Sequence, residues 1–437
     1  MNIVIAGAGK VGYRLAKTLL ERHSVTVVDE NAEALERLQE SLDILPVHGN
    51  IENPDTYRKI IDKNVDLYIA VTNSDEANLL SILVAEDALD IERKFIRLRN
   101  VSYSSTYIQQ RLGIDEIFYP LNLTASSIIS LLKYPYANNV KGFQYTDMKL
   151  ISVRVVGGLD SYEGNRRKVA IVGIERDGNF FVPDYEEIPM EGDLLYLFGN
   201  GVDIGLYCMD IGCDVSTRIE RCAIFGAGDL GINIASSLLE HGVDVKIVEK
   251  SPELCNRADE ILAGGAMTLS CKYGMEDIYD EELYGADMII SATGNDEYNI
   301  VKCLEAREHG IGKLLAINND LEHYKVMHSL GIIAVRGPKV NAYNTIIESI
   351  ESNGIVMERR FCGGDARVFM RKIFEGSELD GKKRALPSRL KKCRAIVVRG
   401  EEMIPLSNDT ILEYDDVITL FCEEGEANRA REWIDGL

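Results

Sequence analysis

The sequence predicts an α/β protein of two tandem units, each with a parallel-sheet domain followed by a small α+β domain. A glycine-rich turn after an apolar run occurs twice, as IVIAGAGKVG at 3–12 and as CAIFGAGDLG at 222–231. Further along each unit, DLYIAVTNSDEAN at 66–78 matches DMIISATGNDEYN at 287–299. Apolar strands alternate with helical stretches around these motifs, which is typical of a parallel sheet with helices on both faces.

The paired motifs indicate a tandem duplication. The end of each unit also repeats, since EGDLLYLFG at 191–199 matches YDDVITLFC at 414–422, and the spacing between partners is nearly constant. A chain of 437 residues is also too long for one ordinary core. Each unit is therefore predicted to hold a Rossmann-like domain and a small α+β domain, at 1–136 and 137–216, then at 217–354 and 355–437.

Each parallel-sheet domain is predicted to end in an amphipathic helix. The first is NLTASSIISLLKYPY at 122–136, and its counterpart is VNAYNTIIESIESNG at 340–354. Pro135 ends the helical pattern of the first stretch. Such a helix either joins the core or contacts another subunit. Its apolar stripe consists of Leu123, Ile128, Ile129, Leu131 and Leu132.

Composition excludes several function classes. The formal net charge of −22 argues against a nucleic-acid partner, because a phosphate backbone requires a basic protein face. No apolar run approaches the roughly 18 residues that cross a bilayer, and Met1 leads directly into a predicted strand without a signal-peptide pattern. We therefore expect no direct membrane insertion. Nine cysteines without a CxxC pair are expected to be reduced core thiols of a cytosolic protein.

The first glycine turn predicts a dinucleotide site. It follows a strand, opens a helix and precedes an acidic residue at the end of the next strand, which makes the motif specific. Gly7 permits the tight turn, Gly9 lets the backbone approach a pyrophosphate, and Gly12 lets the helix pack closely on the sheet. Asp29 is placed to accept both ribose hydroxyls and would repel a 2′-phosphate, so NAD is favoured over NADP. A turn that serves only helix packing is the alternative.

The second copy keeps this pattern but differs in charge. Asp229 stands where the first turn has Lys10, and the second copy reads AINN at 316–319 where the first reads RLRN at 97–100, with Arg97 and Arg99. Groups at the carboxyl ends of these strands face the ligand crevice, where two guanidinium groups could bind phosphate; a solvated charge pair is the alternative. We predict that the first pocket accepts more negative charge, and so ATP as well as NAD. The retained residues are Gly226, Gly228, Gly231 and Glu249.

The loop after the fourth strand is a second candidate for ligand contact. Thr72 or Ser74 can cap the following helix, and capping alone would explain these residue types. Their repetition in both copies at a crevice-lining position favours contact between Thr72–Asn73 and ligand ribose or phosphate. His48, in VHGN, is predicted to line the adenine end of the first pocket.

The sequence contains no catalytic constellation. Its six histidines form no pair with metal-ligand spacing, and there is no nucleophile elbow, zinc motif or Walker lysine loop. A dehydrogenase joins its dinucleotide domain to a substrate domain with a proton donor or acceptor, whereas this chain repeats the same unit. We therefore predict a sensor and not an enzyme, with an NAD-dependent oxidoreductase as the alternative.

Together, the tandem GAGxxG turns, TNSDEAN, RLRN and GDLLYLFG resemble the TrkA family, the cytosolic regulatory subunits of Trk-type bacterial potassium uptake systems. Each unit resembles an RCK (KTN) domain, a Rossmann-like half followed by a small α+β half. The resemblance implies binding of NAD(H), or of ATP or ADP chiefly at the first site. It also implies a homo-oligomeric ring, dimer or tetramer, docked beneath a membrane-embedded potassium-translocating subunit on the inner face of the cell membrane. The regulatory part of another cation transporter, such as an antiporter, is the alternative.

Carried onto matching positions, the resemblance implies two sets of nucleotide-binding residues. The first set is Gly7, Ala8, Gly9, Lys10, Val11, Gly12, Asp29, Gly49, Asn50, Thr72, Asn73, Arg97 and Arg99. The second set is Gly226, Ala227, Gly228, Asp229, Leu230, Gly231, Glu249, Thr293 and Gly294. The second copy departs from the first at CKYG, 271–274, where the first reads VHGN, 47–50. The segment LDSYEGNRRKVA at 159–170 is also short beside GSELDGKKRALPSRLKKCRA at 376–395.

Overall fold

The computed structural model describes residues 1–103, 106–157, 168–184, 187–210, 218–270, 279, 282–352 and 356–437. Contacts divide the chain into two compact units. Unit 1 contains Met1–Thr124 and Arg336–Ser349, and unit 2 contains Ala125–Val335 and Ile350–Leu437. The domain boundaries stay predictions, and those at 216 and 354 lie outside the described residues, as do the departures at 271–274 and 159–167.

The first sheet is parallel. Its six strands lie in the order β3-β2-β1-β4-β5-β6, the doubly wound order of dinucleotide-binding folds, and all adjacent pairs run parallel. Continuous apolar runs form its central strands because helices cover both faces. The strands are β1 Asn2–Ala6, β2 Ser24–Asp29, β3 Leu45–His48, β4 Asn64–Ala70, β5 Asp90–Arg97 and β6 Glu116–Phe118. The helices are α1 Lys10–Leu19, α2 Ala32–Ser41, α3 Pro54–Arg58, α4 Asp75–Glu86, α5 Thr106–Arg111 and α6 Pro120–Lys133.

The second sheet is antiparallel and has the order β10-β9-β11-β8-β7. A two-residue turn, Asp177 and Gly178, joins β9 to β10 with both φ angles positive, at 51° and 71°. This is the backbone that a tight hairpin requires and that Asp-Gly adopts readily. The elements are β7 Asn139–Gly142, β8 Lys149–Arg154, β9 Val169–Arg176, β10 Asn179–Phe181, β11 Leu194–Gly199 and helix α7 Gly201–Asp210.

The third sheet repeats the strand order of the first, as β14-β13-β12-β15-β16-β17. Its first strand again leads through a glycine turn into a helix. The strands are β12 Arg221–Phe225, β13 Asp244–Glu249, β14 Met267–Ser270, β15 Met288–Ser291, β16 Lys313–Asn318 and β17 Ile333–Arg336. The helices are α8 Asp229–Glu240, α9 Pro252–Leu262, α10 Asp296–Glu308, α11 Tyr324–Ser329 and α12 Pro338–Glu351.

The fourth sheet repeats the connectivity of the second, as β18-β19-β22-β20-β21. The predicted fold class is thereby confirmed, because both units pair a parallel Rossmann-like sheet with a smaller antiparallel sheet. The strands are β18 Val356–Phe361, β19 Ala366–Lys372, β20 Cys393–Arg399, β21 Glu402–Pro405 and β22 Val417–Glu423, and the last helix is α13 Ala427–Asp435.

The two predicted amphipathic helices are α6 and α12, and their apolar faces pack in the core, apart from Leu123 of α6, which is exposed. In unit 2, Ile128 and Leu131 of α6 are buried in one cluster with Ile224 of β12. In unit 1, the Asn341 amide of α12 donates to Thr124 Oγ1 at 2.8 Å. A helix from the second half of the sequence therefore belongs to the unit that contains the first glycine turn.

The described cysteines form no disulfide. Seven of the nine lie in the described residues, and all of these except Cys393 are buried. Burial raises the pKa of the Cys303 thiol to about 12, which keeps this thiol protonated at neutral pH. The burial of six of the seven described cysteines agrees with the prediction that they are core thiols.

Candidate nucleotide-binding sites

The first glycine turn connects β1 to α1 through three glycines with different surroundings. Gly7 has φ +118°, and its amide donates to Val28 O at 2.8 Å. A Cβ added at Gly12 would lie 1.9 Å from the Gly7 carbonyl oxygen, whereas one added at Gly9 would meet no atom within 4 Å. Gly12 therefore permits close packing of the helix, and the backbone at Gly9 is open to an approaching ligand.

Asp29 ends β2 beside this turn. Its Oδ2 accepts the Ala8 amide at 2.6 Å and its Oδ1 accepts the Asn31 amide at 2.8 Å. The carboxylate is therefore held at the mouth of the turn, the position predicted for a ribose acceptor. The Gly49 amide donates to the Asp29 carbonyl at 3.0 Å, and His48 Nε2 lies 3.0 Å from the Glu30 carbonyl. The end of β3 is thus fixed against the end of β2.

A buried asparagine organises the ends of β4 and β5. Asn78 Oδ1 accepts from the Thr72 amide at 3.0 Å and from the Thr72 hydroxyl at 2.7 Å. Asn78 Nδ2 donates to the Arg97 carbonyl at 2.9 Å. Asp75 accepts the backbone amides of Arg99 and Asn100, each at 2.9 Å. Thr72 is therefore oriented by the protein itself, and Ser74 caps α4 as the sequence allows, through the Ala77 amide.

The two predicted arginines differ in burial. Arg97 is 7% exposed, and among the described residues its Nε has no hydrogen-bond partner. Burial, and then the neighbouring charge of Arg99, lower the pKa of Arg97. Arg99 is exposed, and its NH1 approaches the Asn73 carbonyl at 3.4 Å. The end of β5 thus holds a buried guanidinium with an unused donor, beside a second guanidinium near the β4 loop.

The second glycine turn, between β12 and α8, reproduces the first. Gly226 has φ +108°, and a Cβ at Gly231 would lie 1.9 Å from the Gly226 carbonyl oxygen. Glu249 Oε2 accepts the Ala227 amide at 2.9 Å, and its Oε1 accepts the amides of the two following residues at 2.7 and 2.9 Å. A glutamate therefore reaches the position that Asp29 occupies in the first copy, and Gly228 is open like Gly9.

The loop after β15 also repeats its counterpart. Asn299 accepts from the Thr293 hydroxyl at 2.6 Å and donates to the Ile317 carbonyl at 2.9 Å. Asp296 accepts the Asn319 amide at 3.0 Å. Ile317 occupies the position of Arg97, so the predicted pairing of RLRN with AINN is wrong by one residue. The second site still lacks the buried guanidinium. The neighbouring residue Gly294 is exposed.

The charge of Asp229 in the second glycine turn is neutralised within the protein. Asp229, which replaces Lys10, pairs with Arg257 at 2.5 Å. Asn319 stands where the first copy has Arg99, because the Asn319 amide donates to Asp296 as the Arg99 amide donates to Asp75. The predicted difference in local charge between the copies is therefore present in the arrangement of the side chains, while the ligand preference derived from it stays a prediction.

The second site contains a cavity of about 310 Å³. It is bounded by the turn, by the end of β13 and by the loop after β15, so the predicted residues Gly226, Glu249 and Thr293 share it.

Sequence reasoning missed Lys250, Asn295 and Tyr298, which also line the cavity. The repeated DEAN and DEYN segments gave a signal for Asn78 and Asn299, but spacing alone did not reveal their structural role. The lining residues are Gly226, Val248, Glu249, Lys250, Thr293, Asn295 and Tyr298.

Both parallel-sheet domains match one family model. The model of the TrkA-N domain matches residues 3–120 and again residues 222–338, which together are more than half of the chain. The chain belongs to the TrkA family. The double match also confirms the tandem organisation of this TrkA-family chain, because each copy begins at the strand before its glycine turn.

Curated TrkA relatives resemble the chain over nearly its whole length. The Trk system potassium uptake protein TrkA homolog of Archaeoglobus fulgidus is 27% identical over 442 residues, which cover 99% of each chain. The Trk system potassium uptake protein TrkA of Vibrio alginolyticus is 25% identical, over 96% of this chain and 95% of the relative. The family resemblance therefore extends through the antiparallel domains.

Solved structures share the fold. The GsuK channel superposes with a TM-score of 0.64 at 18% identity and covers all of this chain and 79% of its own. The GsuK channel bound to NAD has a TM-score of 0.61 at 18% identity, with the same coverage. GsuK bound to ADP has a TM-score of 0.51 at 14% identity and covers 80% of this chain and 70% of its own. In this TrkA-family chain, none of the described helices is long and apolar enough to cross a membrane.

Proposed function

We propose that this chain is a nucleotide-sensing regulatory subunit of a Trk-type potassium uptake system, and not an enzyme. One observation carries the proposal: in both copies, a carboxylate at the end of the second strand accepts the amide of the second residue of the glycine turn, Ala8 to Asp29 and Ala227 to Glu249. This arrangement suits binding of an adenosine diphosphate group. The names of the relatives, potassium uptake proteins, support the transport role.

The proposed ligands are NAD(H), and ATP or ADP chiefly at the first site. Open backbone amides at the start of α1 and α8 would face the phosphates, and the two carboxylates would accept ribose hydroxyls. Arg97 and Arg99 would add charge-assisted bonds to the phosphates of ATP at the first site only. GsuK structures with NAD and with ADP support these two ligand classes for the fold.

The proposed mechanism is a change of shape that a membrane partner detects. A nucleotide can shift the protein only by binding one arrangement of its domains more tightly than another. A coupling of about 1–3 kcal/mol shifts the equilibrium between the two arrangements by about 5- to 150-fold. In this proposal the chain forms a homo-oligomeric ring on the cytoplasmic face of the membrane, against a potassium-translocating subunit.

Isothermal titration of the full chain with NADH and with ATP tests the nucleotide sites. Asp29→Ala should weaken both ligands at the first site, because both contain the adenosine ribose. Arg97→Ala should weaken ATP by about 10- to 100-fold, the value of a charge-assisted hydrogen bond, while NADH changes far less. Arg93→Ala, which removes a positive charge elsewhere on β5, is the matched control. An unchanged ratio of ATP to NADH affinity in Arg97→Ala would refute the assigned role.

The partner is tested separately. The tagged full chain should co-purify with the membrane-embedded potassium-translocating subunit from the same cells, and NADH or ATP should change potassium flux through reconstituted vesicles that contain both proteins. Flux that is identical with and without the chain, at every nucleotide concentration, would contradict the regulatory proposal even if nucleotides bind.

A further inference from the structure

The cavity of the second site extends past the ribose carboxylate to an aromatic ring. Glu249, Lys250 and Tyr298 line it together. In a dinucleotide fold the carboxylate at the end of the second strand binds the adenosine ribose, so a side chain beside it in the same cavity is within reach of the adenosine. Tyr298 is the aromatic residue among the side chains that line this cavity.

Two lysines lie near the Tyr298 ring, and they differ in burial. Lys302 Nζ is 5.2 Å from the ring centroid, but this lysine is buried and forms a 2.5 Å ion pair with Glu305. Lys250 Nζ is 4.8 Å from the centroid, and Lys250 is exposed. The Lys250 side chain can therefore move to admit a flat group between its ammonium and the ring, while Lys302 stays fixed.

At the two matching positions the first copy has neither an aromatic ring nor a cation. Ala77 immediately precedes the buried asparagine of the first copy, as Tyr298 precedes that of the second, and Glu30 follows the ribose carboxylate as Lys250 does. The proposed phosphate-binding cations, Arg97 and Arg99, are therefore present in the first copy, and an aromatic ring with a neighbouring lysine lines the cavity of the second. Duplication of one motif has produced opposite distributions of recognition groups.

We propose that the second site is anchored on the base, with adenine stacked on Tyr298 and covered by Lys250, whereas the first site is anchored on the phosphates. This inference rests on the proposed nucleotide binding and adds what each site selects. A stacked base takes its binding energy from the aromatic face, and a cation over the π system adds to it. The second site should therefore hold AMP nearly as well as ATP, since Ile317 stands where the first site has Arg97 and Asp229 stands where the first glycine turn has Lys10.

The test uses AMP and isothermal titration of the full chain in an Asp29→Ala background, which weakens the first site. Tyr298→Ala should weaken AMP by about 5- to 150-fold, the range expected when one stacked base loses its aromatic partner. Tyr298→Phe should bind AMP like the parent, because it keeps the ring. Tyr284→Ala is the matched control, because Tyr284 is 85% exposed and does not line the cavity.

A surface variant protects the test against a folding defect. Lys250→Ala leaves the core unchanged and should weaken AMP by about two- to fivefold, the value of an exposed cation–π contact. AMP affinity that is equal in Tyr298→Ala, Lys250→Ala and Tyr284→Ala would overturn the base-anchored site while nucleotide binding stands. If the unsubstituted chain binds none of AMP, ATP and NADH, the proposed function is wrong, and this inference falls with it.

Discussion

Gly9 and Gly12 lie three residues apart in one turn, yet a methyl group would act differently at each. The Gly9 side of the turn is open, whereas a Cβ at Gly12 would lie 1.9 Å from a backbone carbonyl oxygen. A backbone atom cannot rotate away as a side chain does, so only movement of α1 or of the turn could relieve that contact. One glycine therefore serves the approach of a ligand and the other serves packing.

Gly12→Ala should destabilise unit 1, and Gly9→Ala should not. Helix propensity favours alanine over glycine by about 1 kcal/mol, but overpacking against a rigid backbone typically costs about 1–3 kcal/mol or more, and the clash decides the sign. Gly9→Ala should leave stability nearly unchanged and weaken NADH at the first site. Thermal unfolding and titration measure the two effects. Equal melting temperatures for the two variants would contradict this assignment.

The sequence predicted the placement of single residues where one motif contains both residues of a contact. The glycine turn and the acidic residue after it predicted the neighbourhood of Asp29 and Ala8, and of Glu249 and Ala227. Alternation along β5 predicted that two arginines share a face, but it could not predict the burial of Arg97, which depends on residues that cover the strand from other parts of the chain. The aromatic lining of the second cavity was missed for the same reason.

At the scale of elements, the strands and the helices of the two parallel sheets follow from apolar runs and from capping residues. Asn31, Ser74 and Ser251 each accept the amide that their helix leaves free. The sequence did not predict in which unit α6 and α12 pack. An apolar stripe shows that a helix packs against something, but both units offer an apolar sheet face of the same kind, so the pattern cannot choose between them.

Two asparagines of α12 provide a test of its place in unit 1. Asn341 donates to Thr124 Oγ1 at 2.8 Å and to the Arg336 carbonyl at 3.0 Å, whereas Asn344 Nδ2 is buried without a hydrogen-bond partner in the described structure. Asn341→Leu should destabilise unit 1 by about 1–3 kcal/mol, because it leaves buried acceptors without this donor. Asn344→Leu, the matched control, should be neutral or stabilising.

Hydrogen–deuterium exchange of the first sheet distinguishes these variants, because it reports the local opening of unit 1. Faster exchange of β1, β2 and β4 amides is expected for Asn341→Leu alone. Indistinguishable exchange in both variants would mean that α12 does not stabilise the sheet through this contact. The dependence on α12 also implies that a fragment that ends before residue 338 lacks part of unit 1, so nucleotide sites are best compared in the full chain.

At the scale of the whole molecule, the duplication extends to individual ion pairs. Arg176 binds buried Asp193 through its Nε at 2.9 Å, and Arg399 binds buried Asp416 in the same way at 2.8 Å. Each arginine also pairs with a glutamate. In each pair the aspartate raises the pKa of its arginine, so both pairs stay charged. The spacing of the motifs predicted the repetition of the domains, whereas the individual side-chain contacts could not be read from it.

One such unduplicated contact joins several elements of unit 2. Glu175 of β9 is buried and accepts from Tyr196 of β11 at 3.2 Å and from Cys362, after β18, at 3.2 Å. His328 of α11 lies 3.3 Å from the same carboxylate, with its ring 4.0 Å from that of Tyr324. The two antiparallel sheets and the second Rossmann-like sheet thus share one buried carboxylate.

This carboxylate should make the stability of unit 2 depend on pH in the acid range. Burial alone would raise the pKa of Glu175, but hydrogen bonds from His328, Cys362 and Tyr196 outweigh burial and lower it. A group whose pKa is lower when folded contributes stability above its unfolded pKa of about 4.3, and this contribution is lost as the pH falls through the folded value. Glu175→Gln should therefore be less stable than the parent at pH 7 and should lose less stability on acidification.

Trp433, the single tryptophan of the chain, lies in unit 2, so its fluorescence reports the unfolding of unit 2. Exposed Glu401→Gln should follow the parent at every pH, and a Glu175→Gln curve that runs parallel to the parent would show that the carboxylate charge does not stabilise this junction.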